Sequence, residues 1–368
     1  MVSKKVIVGG VAAIIVVGGV TAGLMNSGST SKDKKDSFSV AMVTDTGGID
    51  DQSFNQSAWE GLQAYGKDNK LSKGTNGYDY FQSKSQADFT NNFNQAVSAK
   101  FDMVAGIGYS LHQATVSAAD KNPKTKFVLI DDVDTKKTKN VASVMFRSEQ
   151  SSYLVGVASA KKAQELGQHK VAFIGGMKGN IIDAFEAGYT AGVKSVDPTM
   201  EVDVRYADSF SDAAKGQMLA NALIANNEHV IFQAAGAVGK GVFTEAKAVN
   251  SKLPNDSKDK VYVSGVDMDQ TAMGDYKDVN GKKSNFVLTN SLTNVGQGLR
   301  LIAEQSKRGN FPGGKVTSYD LKDGGVGITT KGLNADEKAA TDKAKQAIED
   351  GKVKVPNHPA GSEYNQNF

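Results

Sequence analysis

An α/β fold built as two lobes, each a parallel sheet between layers of helices, is predicted by two features of the chain. From Phe38 onward, short apolar runs bounded by turn residues alternate with segments of helical period, and such alternation implies parallel sheets covered on both faces. Near Ser148 the alternation starts again. For 368 residues, two sheets of about five strands suit the length better than one sheet of about ten.

The first set of strands is FSVAMVT, YDYFQ, FDMVAGI, KFVLID and NVASVMF, rich in Val, Phe and Tyr. Helices are expected between them at 53–67, 86–100 and 110–121; the second places Phe89, Phe93, Ala96 and Val97 on one face. The second set is KVAFIGG, EVDVRYA, HVIFQAA, KVYVSGVD and NFVLTNSL, with helices near 180–195, 212–226 and 239–250. The charged stretch 334–352, with an apolar stripe through Ala339, Ala344 and Ile348, reads as a surface helix.

Composition narrows the function. Hydrophobic residues make up 39%, which supports sizeable cores. The net charge is +3 with no basic stripe, so nucleic acid is not an expected partner. Cys is 0, which excludes disulfides, thiolate metal sites and a Cys nucleophile. His112, His169, His229 and His358 stand apart, so no HExxH-type zinc site exists. Neither a catalytic constellation, a metal nor a cofactor is expected. At the N-terminus, Lys4 and Lys5 precede an uncharged apolar run over 6–25, the pattern of a signal peptide or membrane anchor. The positive end should remain cytoplasmic, with the lobes outside. Residues 26–37 then read as a flexible tether.

Ligands of such lobes bind outside the carboxyl ends of the strands. After the first strand comes TDTGGIDDQSFNQ, where Gly47 and Gly48 permit a tight turn. Ser53 with Gln56 fits a capping box that starts a helix at Phe54 and brings Phe54 and Asn55 to the cleft. Asp131 follows KFVLI, Phe232 and Gln233 follow HVI, Gly239 lies in the glycine-rich turn beyond, and Asp267 follows YVSGV. Phe54 and Phe232, one from each lobe, could sandwich a flat ring. Asp45, Asp131 and Asp267 could accept strong hydrogen bonds from N–H and O–H donors and would repel phosphate. The implied ligand is neutral, flat at one end and rich in hydroxyls at the other, which describes a nucleoside.

The ordered motifs TDTGGIDDQSFNQSAWEG, FVLIDD, NVASVMFRSEQSSYLVG, FEAGYTAGV, IFQAAGAVGKGV and GVDMDQ resemble the basic membrane protein family, nucleoside-binding lipoproteins of the purine nucleoside receptor A type. The resemblance spans nearly all of 38–315. It implies a type I periplasmic-binding-protein fold of two Rossmann-like lobes joined by three hinge crossovers, with 38–145 plus 268–314 in the first lobe and 146–267 plus 315–368 in the second. It implies a monomeric substrate-binding protein of an ABC importer, with a permease as partner, at the outer face of the cell membrane. It further implies that Phe54 and Phe232 stack on the base, that Asp45, Asn55 and Asp131 bond the base edge, and that Asp267 bonds the ribose with help near Gly239. The chain departs from the family at two points. It has no lipobox cysteine, and Thr293 stands where members tend to carry lysine.

Two other readings fit parts of the sequence. GGIDD is a look-alike of the aspartate cluster of calcium-dependent nucleoside hydrolases, although the spacing is one residue longer and Pro is absent. A sensory receptor could use the same binding fold.

Overall fold

The computed structural model describes residues 37–362; the apolar run over 6–25 and almost all of the expected tether lie outside the described residues. Along the chain, β1 (Val40–Val43), α1 (Phe54–Asp68), β2 (Tyr78–Phe81), α2 (Asp88–Ser98), β3 (Met103–Gly106), α3 (His112–Lys121), β4 (Lys126–Ile130) and β5 (Val141–Phe146) come first. Next are α4 (Ser148–Leu166), β6 (Lys170–Gly175), α5 (Asn180–Val196), β7 (Glu201–Tyr206), α6 (Ala213–Ala225), β8 (Val230–Ala234), α7 (Gly239–Asn250) and β9 (Tyr262–Asp267). The last are a small hairpin of β10 (Asp275–Lys277) and β11 (Lys283–Asn285), then β12 (Val287–Thr293), α8 (Val295–Lys307), β13 (Val316–Tyr319), β14 (Val326–Ile328) and α9 (Ala335–Glu349).

The strands form two sheets of six, ordered β13-β5-β4-β3-β1-β2 and β14-β12-β9-β8-β6-β7. Every pairing in the first is parallel, and in the second only β14 runs antiparallel to its neighbour. Side-chain alternation along the strands gives each sheet two buried faces. In the first lobe Met42, Ala105 and Val128 face α1 and α8, while Val43, Val104 and Phe127 face α2 and α3. In the second, Phe173 and Phe232 face α4 and α5, while Ile174, Ile231 and Val263 face α6 and α7.

The chain passes between lobes three times: from β5 to α4, from β12 to α8, and from β13 to β14. This differs from the expected lobe boundaries. Segment 268–293, assigned to the first lobe, stays with the second because β12 pairs with β9. Strand β13, assigned to the second lobe, completes the edge of the first sheet against β5. Helix α4 has no strong period in its sequence because nearly its whole circumference is buried, against α5, α9 and the second sheet. A Cβ added at Gly156 on α4 would lie 2.2 Å from the Tyr189 carbonyl oxygen of α5, so glycine is required where the two helices touch.

Candidate ligand cleft

The carboxyl ends of the two sheets face one another, and a cleft, part of it open to solvent, lies between them. Asp45, Phe54, Asn55, Asp131 and Asp267 all line it, as the strand-end reading expects. Asp131 directly follows β4, and Asp267 is the last residue of β9. Both adopt left-handed backbone conformations, with φ of 61° and 65°. For a residue other than glycine such a conformation costs on the order of 1 kcal/mol or more and is characteristic of functional sites. Asp131 is 5% exposed, and its Oδ1 has no hydrogen-bond partner within the described residues, an arrangement able to take a bond from a ligand or water.

The aspartates of the TDTGGIDDQ stretch divide the work. The Asp51 carboxylate accepts from the backbone N–H of Ser53 (2.8 Å), Asn55 (2.9 Å) and Gln56 (3.1 Å) and from Asn55 Nδ2 (2.9 Å). It therefore caps α1, where the unpaired N–H groups and the helix dipole favour an anion. The capping box expected from Ser53 and Gln56 does not form, since the Ser53 hydroxyl donates across the cleft to Asp267 instead. Asp45 Oδ1 accepts from the Gly47 N–H (2.8 Å) and Asn55 Nδ2 (2.7 Å), while Oδ2 lies beside Gly108 on the cleft wall. Asn55 thus spends both amide hydrogens on holding Asp45 and Asp51.

Phe232 and Gly239 are not brought to the cleft. Strand β8 runs on through Phe232 to Ala234, so the ring points into the second lobe, 0% exposed, with centroids 5.3 Å from Tyr189 and 5.6 Å from Phe173. Its expected stacking role is corrected to a core role. Gly239 is buried in the first turn of α7, where an added Cβ would lie 2.4 Å from Gln233 Oε1; it makes room for Gln233. Besides Phe185 on α5, the rings that line the cleft beside Phe54 are Tyr109, after β3, and Phe210, after β7. They meet edge to face across the lobes with centroids 6.2 Å apart. Both follow strand ends, so the rule that found Asp131 and Asp267 would have found them had it been applied to those two loops. Thr293, the last residue of β12, also lines the cleft, with its Oγ1 buried and its side chain close enough to act on the Asp267 carboxyl.

No Lys, Arg or His lines this cleft among the described residues, and three of its carboxyls are raised above the usual carboxylate range. Burial pushes Asp45 up to about 6, against the pull of the Gly47 N–H and the Asn55 amide. Burial pushes Asp267 up to about 7, with the Ser53 hydroxyl opposing and Asp51 adding to the rise. Asp131 is raised well above the usual range by burial and then by Asp267 and Asp132. The unfolded chain releases these protons near 3.8, so the folded protein binds more of them between there and neutrality. Stability from this source is complete at the acid end and is lost as pH rises through about 6 for Asp45 and about 7 for Asp267, with Asp131 acting in the same direction. Thermal melts of the ligand-free protein from pH 4 to 8 should show that decline, and Asp267→Asn should flatten it. Parallel curves for variant and wild type would contradict the assignment.

Two α/β lobes closed over a cleft of carboxylates and aromatic rings define a solute-binding protein. The sequence agrees: the profile of the ABC transporter substrate-binding protein PnrA-like family matches residues 38–358, and the chain belongs to that family. It is 47% identical, over 356 residues covering 96% of this chain and 99% of the other, to the ABC transporter nucleoside-binding protein BmpA of Lactococcus lactis subsp. cremoris. It is 44% identical, over 90% of this chain and 94% of the other, to the CD4+ T-cell-stimulating antigen of Listeria monocytogenes. Among solved structures, an ABC transporter solute-binding protein from Aeropyrum pernix K1 shares the fold, with a TM-score of 0.75 at 21% identity, covering 87% of this chain and 94% of that one.

Proposed function

We propose that the protein binds a nucleoside between its lobes and presents it to an ABC permease at the outer face of the cell membrane. The observation that carries this reading is the pairing of rings and carboxylates from both lobes in one cleft without a cation: Phe54, Tyr109 and Phe210 beside Asp45, Asp131 and Asp267. Aromatic faces suit a base, and acceptors suit its N–H groups and the ribose hydroxyls. The name of the Lactococcus relative supports the same ligand class. Tethering by the N-terminal apolar segment fits the sequence of residues 1–37. Among the described residues, no helix is long and apolar enough to cross a membrane.

Binding without turnover is the reading the aspartates support. A calcium-dependent hydrolase would need the oxygens of this cluster for metal, whereas those of Asp51 are taken up by four protein N–H donors and Asp45 Oδ1 by two. Inosine or adenosine incubated with the protein and calcium should be recovered intact by chromatography, and release of free base would favour the hydrolase.

The stacking wall gives a direct test by titration calorimetry. Phe54→Ala and Phe210→Ala should each weaken nucleoside binding by about 1–3 kcal/mol, the scale of base–aromatic stacking. Wild-type affinity in both variants would remove the rings from the site.

A further inference from the structure

The geometry points to a buried glutamine relay, Gln233–Gln270, that latches the first lobe onto the second through the backbone carbonyl of Gln52, and so sets how readily the cleft closes over its ligand. The relay lies behind the cleft wall: neither glutamine lines the cleft, and Gln270 meets the lining at the Val266 backbone N–H. Gln270 is 4% exposed. Its Oε1 accepts from the Val266 backbone N–H (3.0 Å) and from Gln233 Nε2 (2.9 Å). Those two donors fix the amide orientation and aim Nε2 across the lobe boundary, where it donates to the Gln52 carbonyl at 2.7 Å. Gln52 sits at φ 59°, a conformation costly enough to need outside support. Beside it, Lys240 Nζ donates to the Asp50 carbonyl, and the Ser53 hydroxyl donates to Asp267. Four consecutive residues, which also carry the Asp51 cap of α1, thus take three bonds from or to the second lobe.

This arrangement gives Gly239 its role. The glycine leaves the space that Gln233 occupies, and Gln233 in turn holds the acceptor end of Gln270. Closure costs nothing in desolvation at Gln270 only while its donor meets the carbonyl. If Nε2 becomes an acceptor, two oxygens face one another in a buried place, and the closed state loses population. The observed dissociation constant scales inversely with the competent fraction, so a residue that never touches ligand changes its affinity.

The inference rests on the nucleoside reading for its ligand but has a readout of its own. The chain has no Cys, so Gln86→Cys and Ser211→Cys, exposed positions on opposite rims, allow dye pairs to report lobe separation in the full chain. In that background Gln270→Glu keeps the size and the acceptor oxygen of the native side chain but replaces the donor. At pH 8 it should bind inosine about 10- to 100-fold more weakly than wild type, the cost of an unpaired buried polar contact, and show lower energy transfer. Acidification to pH 5 should restore much of the loss relative to wild type, because a protonated carboxyl again donates to Gln52. Lys240→Ala, a change on a less buried side chain, should lose about 2- to 5-fold with no acid rescue. Wild-type affinity and energy transfer in Gln270→Glu at pH 8, or a defect that acid leaves untouched, would overturn the relay. Should the wild type bind no nucleoside, the functional reading fails. The relay is then judged on ligand-free energy transfer, where equal values for Gln270→Glu and wild type at pH 8 would overturn it.

Discussion

Phe232→Ala should lower the free energy of unfolding by about 3–5 kcal/mol, the range for deleting a large aromatic side chain from a packed core. Phe232 is 0% exposed and touches three other rings, Phe173, Phe185 and Tyr189. Truncation leaves a void that a close-packed interior fills only in part. The effect on binding should be secondary and pass through Phe185, which contacts Phe232 on one side and lines the cleft on the other. Urea unfolding of the ligand-free protein measures the loss. A shift under about 1 kcal/mol together with a large loss of nucleoside affinity would return Phe232 to the ligand.

A nucleoside 5′-monophosphate should bind about 2–4 kcal/mol more weakly than its nucleoside, roughly 30- to 1,000-fold, from charge repulsion at several ångströms in a medium of intermediate dielectric. The cause is the cleft lining, in which Asp45, Asp51, Asp131 and Asp267 converge with no basic side chain among the described residues to offset them. Protonation of the raised carboxyls relieves part of the repulsion, so the gap between nucleoside and nucleotide should widen as pH rises from 6 to 8. Equal affinities for inosine and its monophosphate, measured at one ionic strength, would show that the phosphate meets none of these groups.

What could be read from the sequence followed from where local pattern and tertiary environment agree. The strands of both sheets stand out because buried parallel strands are short apolar runs bounded by turns, and the strand-end rule then picks out Asp45, Asp131 and Asp267 without further information. Phe232 is misplaced because the strand-end positions are counted from HVI although the run HVIFQAA itself passes through Phe232; β8 continues to Ala234 and moves the cleft-facing positions to Ala234, Ala235 and Gly236. Phe210 was hidden in the polar stretch DSFSD, whose role is set by the loop after β7 and not by any local period. Helix α4 carried no amphipathic signal because packing on several sides removes the polar face. The capping role of Asp51 was concealed by a plausible competitor, Ser53, whose hydroxyl is drawn away by Asp267 from the other lobe. β13 and β14 lie beyond the regular alternation, at sheet edges where only three or four residues pair.

Titration calorimetry with a panel of nucleosides, free bases, ribose and nucleotides tests the central claim most directly. The account predicts saturable one-to-one binding of one or more nucleosides, weaker binding of the bases and ribose taken separately, and the weakest binding for nucleotides. Tighter binding of ribose or of a nucleotide than of every nucleoside would contradict it.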